Sequence, residues 1–226
     1  PMTLTRQFDA VLFDLEGTLV DFQWQLNHAV EEILNFLGNA GIPHTRYEDN
    51  PSYASLYNTT RDITDTWPPD EAEKLFEKLS STYEAYDRDA LSRWEILPQA
   101  CDTLEWLSAK KYRMGIVSNC GAHASNAVLK KFSLLEYFEI IVSRNDLSYL
   151  KPSSEGLKLT LRKMNLSADR ALFVGDSIND ILAADRIAMP SCFLHGGESV
   201  ATGQRAPAAT YEIMTLSDLT HILEPS

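Results

Sequence analysis

Four short stretches of this 226-residue sequence concentrate side chains able to do chemistry. They are Asp14-Leu15-Glu16-Gly17-Thr18, Ser118-Asn119, Lys151-Pro152 and Gly175-Asp176-Ser177-Ile178-Asn179-Asp180. Carboxylates brought together repel one another, so a crowded set needs a counter-charge. A hard divalent cation such as Mg²⁺ supplies it, because Mg²⁺ prefers oxygen ligands and keeps several waters. An ammonium and small hydroxyls beside such a set suit a tetrahedral anion. Acids, Mg²⁺, lysine and Ser/Thr together describe phosphoryl transfer. Taken singly, each residue has a plainer use. Asp14 can cap a turn, Thr18 and Ser118 can be turn hydroxyls, Lys151 a surface charge, and Asp176 and Asp180 acids at a helix start. Only a shared location makes them a site.

That location requires elements that deliver all four stretches to one edge. Residues 8–14 (FDAVLFD) read as a buried strand. After Trp94 the sequence alternates: helices at 99–109, 122–131, 154–164 and 178–187, strands at 112–117, 138–142, 171–174 and 192–194. A further short strand at 211–214 and a helix at 216–223 close the pattern. Strands alternating with helices of about ten residues predict an α/β, Rossmann-like parallel sheet covered on both faces. Ligands of such sheets bind beyond the carboxyl ends of the strands, where all four stretches fall. Between them, residues 24–38 repeat apolar side chains at helical spacing, and Pro68-Pro69-Asp70-Glu71 opens a second helix. Residues 44–70 read as polar and broken. The chain therefore divides into an α/β core, 1–20 plus 96–226, and a helical insert, 21–95, placed to cover the site. The insert's aromatic residues read mostly as its own core, and Arg61 as a cation facing substrate.

The net charge of −12 and pI near 4.8 leave no basic face, which excludes a generic nucleic-acid binder. The insert holds 15 Asp/Glu against six Lys/Arg, which argues against a polyanionic substrate. No apolar run approaches a membrane span, and the first residues lack a secretory pattern. Cys101, Cys120 and Cys192 fit neither a disulfide framework nor a zinc site, so a reducing cytoplasm is the expected setting. Cys120 has no histidine at a catalytic spacing and is not the expected nucleophile. A monomer or homodimer is expected.

DLEGTLV, VSN, LKP and VGDSIND resemble, in order, the four motifs of the haloacid dehalogenase-like (HAD) hydrolase superfamily. The insert after the first motif is similar to that of the helical-cap subgroup. GDSIND followed by ILAADRIAM resembles the phosphoglycolate-phosphatase-like branch. The resemblance implies that Asp14 is the nucleophile and forms an aspartyl-phosphate. Glu16, where the family usually has a second Asp, becomes the general acid and base, its backbone carbonyl a Mg²⁺ ligand. Thr18, Ser118 and Asn119 bind the phosphoryl group, and Lys151 neutralises charge around it. Asp176 is a direct Mg²⁺ ligand, and Asp180 supports the metal directly or through a water. The implied reaction is Mg²⁺-dependent hydrolysis of a small phosphorylated metabolite, of the phosphoglycolate or sugar phosphate type. Glu16 is one methylene longer than Asp, and a misplacement of about 1 Å costs on the order of a hundredfold in rate. Enolase-phosphatases of the same superfamily carry a similar DxEGT. A metal-free haloacid dehalogenase, a phosphonate-cleaving enzyme using Lys74 or Lys78, a phosphomutase and a non-catalytic phospho-ligand binder are the alternatives.

Overall fold

The computed structural model describes residues 7–196 and 208–224. Residues 1–6, 197–207 and 225–226, which the sequence assigns to the α/β core, lie outside the described residues. Six strands form one sheet: β1 (Ala10–Phe13), β2 (Arg113–Val117), β3 (Ile140–Val142), β4 (Ala171–Gly175), β5 (Ser191–Leu194) and β6 (Tyr211–Ile213). Their order is β3-β2-β1-β4-β5-β6 and every pairing is parallel. The chain steps outward from β1 through β2 and β3, then returns to β4 on the other side of β1. That reversal opens a crevice at the carboxyl ends of β1 and β4. The expected α/β sheet is therefore present.

β1 (AVLF) and β4 (ALFVG) are buried throughout, so they read as apolar runs rather than as alternating patterns. The helices are α1 (Leu26–Asn39), α2 (Tyr53–Thr64), α3 (Pro69–Leu91), α4 (Ala100–Ala109), α5 (Ala122–Lys131), α6 (Glu155–Met164), α7 (Ile178–Asp185) and α8 (Leu219–Leu223). Successive side chains of β1 point to opposite faces. Ala10 and Leu12 pack with Leu157, Leu161 and Met164 of α6, and Ala183 and Ala184 of α7. Val11 and Phe13 belong to a second apolar cluster with Leu104 and Leu107 of α4 and Val128 and Leu129 of α5.

That second cluster continues into α1, α2 and α3. Pro69 opens α3 with Asp70 and Glu71 in its first turn, where the helix dipole favours acids. The Trp24 ring lies 5.1 Å from Tyr53, 5.7 Å from Tyr83 and 5.5 Å from Tyr86. These aromatics are core, as expected. The stretch expected to be broken contains α2, and this corrects the sequence reading. Ser52 caps the helix by accepting from the Ser55 N–H at 3.0 Å. Thr60 and Thr64 face inward but donate back to the Leu56 and Thr60 carbonyls, at 2.6 and 2.9 Å. Threonine thus occupies buried positions without an unmet hydroxyl, which hides the helix from an apolar count. The chain enters and leaves these three helices side by side. Asp21 N–H donates to the Glu95 carbonyl at 3.0 Å, and Leu97 N–H to the Leu19 carbonyl at 2.9 Å. Among the described residues no helix is long and apolar enough to cross a membrane.

Candidate active site

β1 ends at Phe13, and the next residue, Asp14, donates its N–H to the Val174 carbonyl of β4 at 2.9 Å. This bond aims the Asp14 side chain into the crevice between the two strands. Gly17 follows with φ +80°, a left-handed conformation that favours glycine. A methyl group at Gly17 would overlap the Asp176 carboxylate, so glycine lets the β1 loop close onto the residue that follows β4. Thr18, fully buried, donates its hydroxyl to Asp176 Oδ1 at 2.8 Å.

Lys151 is 2% exposed and joins the two halves of the site. Its Nζ lies 2.7 Å from Asp14 Oδ1 and 2.6 Å from Asp180 Oδ1. Asp180 Oδ2 accepts from the Ser177 N–H at 3.0 Å and the Ser177 hydroxyl at 2.6 Å, a capping box at the start of α7. Burial, with Asp180 adding to it and Lys151 opposing it, pushes the Asp14 carboxyl up to about 7. Burial opposes the Lys151 charge, but Asp14 and Asp180 outweigh it and hold the ammonium above its ordinary range.

The Lys151 backbone is clasped from two sides. The Asn119 amide donates to the Lys151 carbonyl at 3.2 Å and accepts from the Lys151 N–H at 2.9 Å. Asn58 of α2 makes the same pair of bonds to Leu150, donating at 2.9 Å and accepting at 2.8 Å. Behind this clasp lies a buried ion pair. Arg144 Nη2 meets Asp87 Oδ2 of α3 at 2.6 Å, both side chains being 2% exposed. The same guanidinium donates to the Asn119 carbonyl at 3.1 Å, and the other Asp87 oxygen accepts from Trp24 Nε1 at 3.1 Å.

The structure brings together the expected Asp14, Glu16, Thr18, Ser118, Asn119, Lys151, Asp176 and Asp180, all buried around the carboxyl edge of the sheet. Two of them also have partners within the protein. Thr18 points its hydroxyl at Asp176, and Asn119 holds the Lys151 backbone; both were expected on the phosphoryl group. Ser118 Oγ accepts from the Cys120 N–H at 3.1 Å, which leaves its own hydrogen able to donate. Burial, Asp87 and Glu16 push the Cys120 thiol well above its ordinary value, so a thiolate is disfavoured there, as expected. Arg61, expected to face substrate, does not line the cavity beside α7: its guanidinium lies 3.4 Å from the Phe76 ring centre and donates to the Ser148 carbonyl at 3.4 Å. Lys74 and Lys78 line a separate cavity beside Phe36 and Trp67. Asn58, Asp87 and Arg144 had no local signal in the sequence, because each acts on a residue far along the chain.

The acids fit a divalent cation. One oxygen each from Asp14, Asp176 and Asp180 lies within 4.8 Å of the others. Asp180 already accepts through both oxygens. Four carboxylates, counting Glu16, face one ammonium, and a divalent cation offsets the excess.

A model of the haloacid dehalogenase-like hydrolases matches residues 11–194. The chain belongs to this family and is a hydrolase. Phosphoglycolate phosphatase 1 of Pseudomonas aeruginosa is 31% identical over 222 residues, covering 97% of this chain and 81% of that protein. A HAD phosphatase from Thermococcus onnurineus is similar in structure, with a TM-score of 0.61, 23% identity, and coverage of 96% of this chain and 98% of that one. The HAD hydrolase YfnB of Bacillus subtilis, solved bound to magnesium and showing interdomain movement, has a TM-score of 0.59 at 20% identity, covering 96% and 99%. Both structures support the fold.

Proposed function

We propose that the protein is a Mg²⁺-dependent phosphatase of a small organic phosphomonoester, working through an aspartyl-phosphate on Asp14. The carrying observation is the contact of Lys151 Nζ with Asp14 Oδ1 at 2.7 Å, beside the Asp176 carboxylate that Thr18 orients. In the first step an Asp14 oxygen attacks phosphorus, and the bond from phosphorus to the leaving oxygen breaks. Glu16, protonated, gives its proton to that oxygen. In the second step Glu16, now a carboxylate, takes a proton from water. The water oxygen attacks phosphorus, the acyl-phosphate bond breaks, and Asp14 and inorganic phosphate are regenerated.

Ser118 donates to a phosphoryl oxygen, and Lys151 offsets the charge shared by Asp14 and the phosphoryl group. Thr18 and Asn119 are positioning residues, for Asp176 and Lys151 respectively. Asp14, Asp176 and the Glu16 carbonyl, with Asp180 behind, would hold Mg²⁺, which would supply charge neutralisation at the phosphoryl group. Residues 21–95 act as a cap over this edge. The phosphoglycolate phosphatase relative and the magnesium-bound structural neighbour support this reading. A phosphonate-cleaving reading loses its lysine, since neither Lys74 nor Lys78 lines the cleft beside α7. The test is phosphate release from a panel of phosphomonoesters with Mg²⁺. Release that EDTA and Asp14→Asn each abolish is the expected result; release that survives both contradicts the proposal.

A further inference from the structure

A cavity of about 1150 Å³ lies between α1, α2 and the start of α7. Its outer walls are α1, α2 and the loop between them, and its inner wall is Pro152, Ser177, Ile178 and Asn179. Pro152 follows Lys151 directly, and Ser177 holds Asp180, so the cavity lies against the reacting centre. It is where the non-phosphorylated part of a substrate has room. Four acids line it, Glu31, Glu48, Asp49 and Asp62, together with asparagines and serines. No described Lys or Arg does.

The insert's cations are placed elsewhere. Arg61 lies over Phe76, Lys74 and Lys78 flank the separate cavity, and Arg93 pairs with Asp89 at 2.7 Å. Arg88 faces the crevice between α3 and α5, and Arg46 is not on the wall. Arg186 donates to the Pro152 carbonyl at 2.5 Å but is not on the wall either. Asp62 accepts from the Tyr149 hydroxyl at 2.9 Å; Glu31, Glu48 and Asp49 are exposed residues of the wall. A carboxylate on the leaving group would enter among like charges with no lysine or arginine to receive it; the His44 ring on the wall is already engaged through Nε2 by the Leu34 carbonyl at 3.0 Å. Hydroxyl or ammonium hydrogens would find acceptors on every side.

We propose, building on the phosphatase reading, that the cavity selects phosphomonoesters whose leaving group bears hydrogen-bond donors and no negative charge. Phosphoglycolate is then a poor substrate in spite of the name its relatives carry. Three esters of similar size separate the cases: glycerol phosphate, phosphoethanolamine and phosphoglycolate, with p-nitrophenyl phosphate as a generic reporter. The expected result is a kcat/KM for glycerol phosphate or phosphoethanolamine at least about tenfold above that for phosphoglycolate. Which of the two leads tells whether hydroxyl or ammonium is preferred. Asp49→Lys should raise the ratio of phosphoglycolate to glycerol phosphate turnover several-fold. Phosphoglycolate turned over as well as the other two, with p-nitrophenyl phosphate hydrolysed, overturns the selectivity and leaves the phosphatase reading standing. No release from any of the four esters overturns the phosphatase reading, and the selectivity with it.

Discussion

At the scale of single residues, Asp14, Lys151 and Asp180 form a charge-sharing group whose members are not interchangeable. Asparagine at position 14 keeps the shape and loses the nucleophile. Asp14→Asn is expected to abolish turnover while circular dichroism stays unchanged. Glu16→Gln removes the proposed proton carrier and should lower kcat by roughly 10²–10⁴-fold. The Thr18 hydroxyl orients Asp176, and loss of such an outer contact typically costs about 10–100-fold in metal affinity. Thr18→Val should therefore raise the Mg²⁺ concentration for half-maximal activity by about that factor. If Thr18 instead binds the phosphoryl group, KM for the ester rises and the Mg²⁺ requirement stays put. All eight site residues were legible in the sequence because they sit in short local motifs. How Thr18 and Asn119 are used was not, since the partner of each is more than 30 residues away, |i−j| being 158 and 32.

At the scale of elements, α2 and α3 reach the site through side chains that no motif announces. Asp87 of α3 ties Arg144, Trp24 and the Gly121 N–H into one buried group, the last bond being 3.0 Å. Breaking a buried ion pair from one side typically costs about 3–5 kcal/mol, because the remaining charge is stranded. Asp87→Ala should lose that much in urea unfolding, and Asp89→Ala, at an exposed pair, should lose less than about 1 kcal/mol. Asn58→Ala unfastens Leu150, the residue before Lys151, and is expected to lower kcat while the Mg²⁺ requirement holds. The sequence showed α1 and α3 by apolar spacing and by Pro69 at a helix start. It did not show α2, because Thr60 and Thr64 are buried polar residues satisfied by their own helix. Tertiary burial decided that helix, and an apolar count cannot register it.

At the scale of the molecule, one parallel sheet sets the position of everything else. The reversal of strand order between β1 and β4 fixes where the acids converge, and α2 reaches that edge through the bonds of Asn58 to Leu150. The strand and helix alternation made the sheet legible, since a parallel sheet with both faces covered follows from it. The cavity between α1, α2 and α7 was not legible, because its wall is assembled from both parts of the chain. A site with surplus negative charge should gain stability from its cation. Mg²⁺ at about a hundred times its Kd should add about 2.7 kcal/mol to unfolding, and EDTA should remove it. Thermal melts with and without Mg²⁺ read this without any substrate.

The central claim is that Asp14 carries the phosphoryl group between substrate and water. The direct measurement is rapid acid quench of the enzyme turning over a phosphomonoester, followed by mass spectrometry of the peptide containing Asp14. The account predicts a phosphoryl adduct on Asp14; with p-nitrophenyl phosphate, whose leaving group needs no proton, the adduct accumulates further in Glu16→Gln, where the water lacks its base. Phosphate released at full rate with no adduct in either protein would contradict it.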